Sequence, residues 1–251
     1  MSKTPYIIAH RGLSAAYPEN TIISFQKAVE LGVDWIELDV VCTADGVLIV
    51  THDTTADRCT NGRGTFSMMP FDQIEALDAG VRFDAKFAGE PIPLLHQVID
   101  VVEKTNVRLS IEIKGDTFTE FESTARATVS LLQQRNFLRK ASIASFDLNC
   151  LRAVRGWEPR LTTNLDPTPQ NGSLTAWELC QQCLRCGANL MGYNYERLTP
   201  EIVEEARMHG LALWAWTIND EDSVRRIAAM DVDAILSDDA VMLKRVLSAT
   251  N

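Results

Sequence analysis

The sequence lacks any segment typical of a membrane anchor or a secretion signal. No apolar run approaches the roughly 18 residues that a transmembrane helix needs. The first residues, Met-Ser-Lys-Thr-Pro, show no basic stretch followed by an apolar one, as a signal peptide would. We therefore expect a cytoplasmic protein without stable membrane insertion.

Basic residues are in short supply, with 24 Lys and Arg against 34 Asp and Glu and a formal net charge of −10. A surface of this sign repels nucleic acid and anionic lipid, so neither is expected as a general partner. Cys180, Cys183 and Cys186 lie three residues apart, but no histidine is near them. On a helix this spacing only places them on adjacent turns, and free thiols are expected.

What the sequence does contain is a regular alternation of short apolar runs and amphipathic segments. Eight strand–helix units imply parallel strands joined by crossovers, and 251 residues is close to the length of about 250 that is typical of a closed barrel. The prediction is an α/β fold, a single-domain (β/α)8 TIM barrel over residues 1–251. The predicted strands are 6–9, 35–41, 108–113, 142–145, 160–165, 188–193, 211–217 and 234–237; the predicted helices are 21–31, 94–104, 118–135, 147–155, 173–186, 200–209, 220–229 and 239–248.

One stretch departs from this alternation. Asp45-Gly46 is a turn signal, and a second extended run to Asp53 follows it. Residues 54–93 are too long for a bare loop in a compact domain. We interpret them as a small insertion after strand 2 that lies over the catalytic face of the barrel.

Charged residues inside the predicted strands are the most informative feature. Glu37 and Asp39 are two apart and share one face of their strand, as do Glu112 and Lys114. Buried carboxylates must be paired, protonated or bound to a cation. Three of them from adjacent strands favour a hard ion such as Mg2+ or Ca2+. The alternative is a set of buried salt bridges, such as Lys114 with Glu112 or Arg11 with Glu37.

Two histidines are predicted at the carboxyl ends of strands, where barrel enzymes place their chemistry. His10 ends the first strand beside Arg11, and His52 ends the extended run beside Asp53. Such a pair can act as acid and base, and the nearby cations Arg11 and Lys114 suit an anionic substrate. Trp216 is interpreted as lining the same pocket, the alternative being barrel packing.

In their order and spacing, these motifs resemble the glycerophosphodiester phosphodiesterase family. The resemblance covers about residues 6–243, and its strength lies in the ordered set. The motifs are His10-Arg11-Gly12, Pro18-Glu19-Asn20-Thr21, Glu37-x-Asp39, His52-Asp53, Asn61-Gly62-x-Gly64, Ile92-Pro93-Leu94, Glu112-Ile113-Lys114, Ser145-Phe146, Trp216-Thr217-Ile218-Asn219 and Ser237-Asp238.

The resemblance implies hydrolysis of a small glycerophosphodiester to glycerol 3-phosphate and an alcohol. It implies one divalent cation, Mg2+ or Ca2+ with Mn2+ as a third candidate. The implied roles are metal ligands for Glu37, Asp39 and Glu112, acid–base catalysis for His10 and His52, phosphate binding for Arg11 and Lys114, and support for Glu19 and Asn20.

The mechanism expected from this resemblance is attack by the neighbouring glycerol hydroxyl, through a cyclic phosphate. The sequence does not decide which histidine is the base, although His10 as base and His52 as acid is the preferred assignment. Three alternatives stay open: a phospholipase C- or D-like barrel acting on lipid phosphodiesters, a non-catalytic phosphate-binding barrel, and a metal-dependent isomerase or aldolase on the same fold.

Overall fold

The computed structural model describes residues 4–167 and 174–249. Its central feature is a closed barrel of eight parallel strands, so the predicted (β/α)8 TIM barrel is confirmed. Closure occurs at β1, which pairs with β2 on one side and with β9 on the other. The strands are β1 Tyr6–His10, β2 Trp35–Cys42, β4 Arg108–Ile113, β5 Ala141–Ser145, β6 Thr162–Leu165, β7 Leu190–Asn194, β8 Ala212–Trp216 and β9 Ala234–Ser237. A further strand, β3 Leu48–Val50, lies outside the barrel.

Helices cover the outside of the barrel, except for the four-residue helix 71–74, which belongs to the segment after β3. They are α1 Ile22–Leu31, α2 Phe71–Ile74, α3 Leu95–Val102, α4 Phe118–Gln134, α5 Leu148–Trp157, α6 Ala176–Cys186, α7 Pro200–Met208, α8 Glu221–Ala228 and α9 Ala240–Ala249. Ser173, where a helix was predicted to begin, lies outside the described residues. Among the residues described, no helix combines the length and apolarity needed to cross a bilayer.

Side-chain caps fix where the helices begin. Thr21 accepts a hydrogen bond from the backbone of Ser24 at the start of α1, and Thr199 caps α7, whose first residue is Pro200. Asp220 caps α8, because its side chain accepts a hydrogen bond from the backbone of Ser223. Asn219 lies before this cap, and its Oδ1 accepts hydrogen bonds from Ser237 Oγ and from the backbone nitrogen of Asp238 at the end of β9.

The extended run after β2 folds back as a hairpin. β3 pairs antiparallel with β2 across the Asp45-Gly46 turn, and Gly46 has the positive φ of 85° that such a turn requires. The following segment carries α2 and two short 3-10 turns, Phe66–Met68 and Ala85–Phe87. It has its own apolar cluster, formed by Val41, Ile49, Ala56, Phe66, Ile74 and Ile92.

Large side chains fill the inside of the barrel toward the amino ends of its strands. Trp35 and Trp214 meet edge to face with ring centroids 5.1 Å apart, and Ile8, Leu190, Ala234 and Leu236 complete this cluster. Because this end is filled, the open space inside the barrel lies at the carboxyl ends. That is the face where the sequence placed the charged residues.

Candidate active site

A cavity opens at the carboxyl ends of the barrel strands, and its lining combines charged and aromatic side chains. Seven of the ten residues predicted for the site take part in it: His10, Arg11, Glu37, His52, Glu112, Lys114 and Trp216. Its wall also includes Ser110, Ala144, Phe146, Asn164, Asp166, Trp214, Thr217 and Leu236. Asp39, Glu19 and Asn20 lie immediately behind this lining and contact its members.

Three carboxylates converge at one side of the cavity. Glu37 and Asp39 share a face of β2, and the strand register places Asp39 directly opposite Glu112 on β4. One oxygen from each lies within 4.8 Å of the other two. Glu37 and Asp39 are only 4% and 1% exposed, so solvent does little to reduce their mutual repulsion.

Two basic side chains offset part of this charge. Lys114 Nζ lies 2.5 Å from Glu112 Oε1 and 3.1 Å from Asp39 Oδ1. Arg11 Nε lies 3.3 Å from Asp39 Oδ2, whereas its backbone nitrogen donates to Glu37 Oε2 at 3.1 Å. The salt bridge between Lys114 and Glu112 that the sequence allowed is therefore present, and the Arg11 side chain pairs with Asp39.

These basic groups leave the cluster incompletely satisfied. Glu37 Oε1 is buried and has no partner among the described residues, whereas Asp39 Oδ1 is contacted by Lys114 Nζ alone. Burial, followed by repulsion from Asp39, raises the pKa of Glu37 to about 8. Burial also opposes ionisation of Asp39, but Lys114 and Arg11 outweigh it and lower its pKa to about 2. Three crowded carboxylates, one of which keeps a buried oxygen without a partner, fit a hard divalent cation.

His10 is held by a carboxylate on the far side from Glu37. Its Nδ1 lies 2.6 Å from Asp238 Oδ1, and its Nε2 lies 3.8 Å from Glu37 Oε2. Asp238 is fixed in turn by Asn219 Nδ2 at 2.6 Å and Ser14 Oγ at 3.1 Å. Burial opposes protonation of His10, but the hydrogen bond to Asp238 and the charge of Glu37 outweigh it, so its pKa is raised.

His52 has a similar carboxylate partner but the opposite pKa shift. Its Nδ1 lies 2.7 Å from Asp53 Oδ1. Burial lowers the pKa of His52, and the charges of Lys114 and Arg11 reinforce this effect against the attraction of Asp39. In the metal-free chain, therefore, His10 keeps its proton to a higher pH than His52 does.

Residues of the loop after β1 hold the charged groups in place. Asn20 has a φ of 57°, and its Nδ2 donates to Asp39 Oδ2 at 2.9 Å. Glu19 accepts from Arg11 NH1 at 3.0 Å and from both terminal nitrogens of Arg58 at 2.9 and 2.8 Å. The same Arg58 donates to Asp53 at 2.7 and 3.0 Å, and so links the insertion to this loop.

Sequence reasoning missed three residues of this site: Arg58, Asn164 and Asp166. Trp216 donates its indole N–H to Asp166 Oδ1 at 2.6 Å, which explains its orientation in the cavity. A signal for Asp166 existed, because it directly follows a predicted strand at the carboxyl end where functional residues gather. No pattern marked Arg58, whose partners are distant in sequence.

A comparison with family models matches residues 10–242 to the Glycerophosphoryl diester phosphodiesterase family. The chain belongs to this family. A glycerophosphodiester phosphodiesterase of Caldanaerobacter subterraneus subsp. tengcongensis is 37% identical over 233 residues, which cover 93% of each chain. A glycerophosphodiester phosphodiesterase of Bacillus subtilis is 33% identical over 246 residues, which cover 92% of this chain and 82% of that one.

Solved structures of glycerophosphodiester phosphodiesterases share the fold. That of Agrobacterium tumefaciens superposes with a TM-score of 0.83 at 27% identity and covers 96% of this chain and 99% of its own. An Oleispira antarctica phosphodiesterase in complex with the product sn-glycerol-3-phosphate gives 0.88 at 25% identity and covers 98% and 97%. The family resemblance carried by the motifs is therefore confirmed.

Proposed function

We propose that this protein hydrolyses glycerophosphodiesters to glycerol 3-phosphate and an alcohol, with one divalent cation and the His10–His52 pair. The observation that carries the proposal is the meeting of three carboxylates, two of them buried, with two basic side chains and two histidines at one cavity. The family supports the substrate class, and so does the product bound to the Oleispira antarctica relative.

Glu37, Asp39 and Glu112 are the proposed ligands of the cation, because their oxygens lie within reach of a single ion. Oxygen ligands suit Mg2+ and Ca2+, with Mn2+ as a third candidate. When bound, the ion would neutralise the carboxylates and polarise a phosphoryl oxygen.

Arg11 and Lys114 are the proposed phosphate contacts. Both line the cavity, and both now contact the carboxylate cluster. A cation on the carboxylates would reduce their attraction for these two side chains, whose positive charge would then be available to the phosphodiester. The planar guanidinium of Arg11 can bind two phosphate oxygens at once, and the ammonium of Lys114 acts as a point charge.

The histidines are proposed to move the protons of the first step. One histidine accepts the proton of the glycerol 2-hydroxyl as its oxygen forms a bond to phosphorus. The bond from phosphorus to the alcohol oxygen breaks, and the other histidine donates a proton to that oxygen. Water then opens the cyclic phosphate to give glycerol 3-phosphate. Asp238 and Asp53 orient the two rings through their Nδ1 atoms.

The experiment that tests the function is a product assay with glycerophosphocholine under control of the metal. We expect choline and glycerol 3-phosphate to appear in Mg2+, Ca2+ or Mn2+, EDTA to stop the reaction, and added metal to restore it. Release of phosphocholine and glycerol would instead indicate the other phosphoester bond, and a full rate in EDTA would contradict the role of the cation. Intact phospholipid vesicles as substrate test the phospholipase alternative in the same assay.

A further inference from the structure

Asp166 is a buried carboxylate of the cavity wall and is not one of the three proposed metal ligands. It directly follows β6, and its backbone nitrogen donates to Ser145 O at 3.2 Å, which extends the strand ladder. The side chain is part of a residue only 5% exposed, and its Oδ1 accepts the indole N–H of Trp216 at 2.6 Å. Its Oδ2 accepts no hydrogen bond from the described part of the chain.

Asn164 supplies a second acceptor on the same face. It lies two residues before Asp166, so the alternation of a strand directs both side chains into the barrel, and both line the cavity. Asn164 is 5% exposed, and its Oδ1 has no hydrogen-bond partner among residues 4–167 and 174–249. A buried acceptor without a donor is costly, so we expect a bound ligand to donate a hydrogen bond to Asn164 Oδ1.

The neighbouring strand leaves space for this pair. A Cβ atom on Gly192 of β7 would lie 1.9 Å from Asp166 Oδ1 and 3.1 Å from Asn164 Nδ2. Any side chain at position 192 would therefore displace the carboxylate from its contact with Trp216. The glycine allows the two acceptors to sit together at the cavity wall.

Hydrogen bonding decides which ligand fits. Arg11, Lys114 and the proposed divalent cation would balance the three carboxylates and the phosphodiester, so the cavity needs no further positive charge at this wall. A quaternary ammonium group has no N–H to donate, whereas a neutral hydroxyl group can donate to a carboxylate or to an amide oxygen.

We propose that the glycerol hydroxyl farthest from the phosphate donates its single proton in a hydrogen bond shared between Asp166 and Asn164, and that this contact makes the enzyme select glycerol esters. The inference rests on the proposed function, since it assigns one end of the same substrate. Trp216 is then a positioning residue, which holds Asp166 through its indole N–H.

A substrate pair isolates this contact. Glycerophosphocholine carries the terminal hydroxyl, whereas 2-hydroxypropyl phosphocholine lacks it but keeps the neighbouring hydroxyl that attacks phosphorus. For the wild-type enzyme with Mg2+ at a pH above about 8, where Asp166 is ionised, we expect kcat/KM to be about 10- to 100-fold higher for the glycerol ester, the usual effect of a hydrogen bond to a charged group. Equal values for the two substrates would overturn the proposal while leaving the proposed function intact.

Variants then assign the preference to the pair. Asp166→Asn keeps an oxygen for Trp216, and Asn164→Leu removes an acceptor at similar size. In each variant, the ratio of the two kcat/KM values should fall toward one, mainly because kcat/KM for the glycerol ester decreases. Asp222→Asn is the matched control, because the side chain of Asp222 is fully exposed on α8. An unchanged ratio in both folded variants would overturn the assignment.

Gly192→Ala provides a test that leaves both acceptors in the sequence. The added methyl group should displace Asp166 and lower the same ratio, and thermal unfolding would verify that the variant folds. A folded Gly192→Ala enzyme with the wild-type ratio would contradict the geometry on which the inference depends.

Binding of products gives a readout that does not require turnover. Calorimetry should show that the metal-loaded protein binds glycerol 3-phosphate more tightly than 2-hydroxypropyl phosphate, and that Asp166→Asn removes the difference. If the wild type hydrolysed neither diester, the proposed function would fail, and this binding comparison would still test the subsite. Equal binding of both phosphates by the wild type would overturn it.

The rival ligand for the pair is a cationic head group. Glycerophosphocholine, glycerophosphoethanolamine and the methyl diester of glycerol 3-phosphate share the glycerol end and differ only in the alcohol. We expect Asp166→Asn to lower kcat/KM for all three by a similar factor. A loss confined to the two cationic head groups would overturn the hydroxyl assignment in favour of an ammonium site.

Discussion

At the scale of single residues, the site is built from ionisable groups whose partners differ although their positions are similar. His10 and His52 both have a carboxylate within 2.7 Å of Nδ1, yet their pKa values shift in opposite directions. The difference arises because the hydrogen bond to Asp238 and the charge of Glu37 outweigh burial at His10, whereas burial and the charges of Lys114 and Arg11 outweigh the attraction of Asp39 at His52. A cation bound to Glu37 would lower the pKa of His10, so kinetics must assign the two roles.

The roles of the histidines can be separated with an activated leaving group. A leaving alcohol that departs as a stable anion needs no general acid. Glycerophospho-p-nitrophenol as substrate should therefore restore the activity of a variant that lacks the acid, but not that of a variant that lacks the base. With His52 as acid, His52→Ala should lose roughly 10²- to 10⁴-fold on glycerophosphocholine and much less on the activated ester. His10→Ala should lose activity on both, and His209→Ala is the control. The reverse pattern would exchange the roles.

We expect the buried charge of Asp166 to destabilise the fold although it is proposed to serve substrate binding. Burial and then repulsion from Glu112 raise its pKa to about 8, so between about pH 4 and pH 8 the folded chain holds a proton that the unfolded chain releases. Ionisation of Asp166 therefore lowers the free energy of unfolding progressively as the pH rises through this window. Asp166→Asn should raise the Tm in EDTA at pH 8 by the equivalent of a few kcal/mol and have no effect near pH 3. A pH-independent difference would contradict this linkage.

At the scale of elements, the sequence was most informative where burial and periodicity act together. The strand pattern predicted that Glu37 and Asp39 share a face, and the register of β2 with β4 brings Glu112 beside them. Tertiary contacts were less accessible: the link from Arg58 to Asp53 and Glu19 spans up to 39 residues, and no local pattern encodes it. Asp166 was missed although it directly follows β6, because it belongs to none of the motifs that carry the family resemblance.

The link made by Arg58 predicts that the insertion takes part in positioning His52. Arg58→Ala removes the donors that fix Asp53, so we expect kcat on glycerophosphocholine to fall about 10-fold, the scale of losing an outer-shell partner. Stability should change by less than about 1 kcal/mol, since the side chain is 47% exposed. Arg63→Ala, an exposed arginine of the same segment, is the control. A wild-type kcat for Arg58→Ala would separate the insertion from catalysis.

At the scale of the whole molecule, an acidic protein is proposed to act on an anionic substrate. The net charge of −10 opposes binding at long range, so the attraction must be confined to the cavity. Arg11, Lys114 and a divalent cation would supply it there. The carboxylate cluster depends on the barrel and not on this excess of acid, because the register of β2 with β4 brings together three carboxylates that the unfolded chain would keep apart.

Metal binding should therefore increase the free energy of unfolding of the protein. A ligand that binds only the folded state stabilises it by about 2.7 kcal/mol at a concentration 100 times its Kd, so Mg2+ or Ca2+ should raise the Tm of the wild-type protein in a concentration-dependent way. Glu112→Gln should fold but need more than about 10-fold more metal for the same rise, since loss of a direct ligand exceeds the cost of an outer partner. Glu204→Gln, exposed on α7, should titrate like the wild type. The expected stabilisation comes from relief of carboxylate crowding by the ion. Identical titration curves for Glu112→Gln and the wild type would exclude Glu112 as a ligand, because loss of a ligand must weaken metal binding.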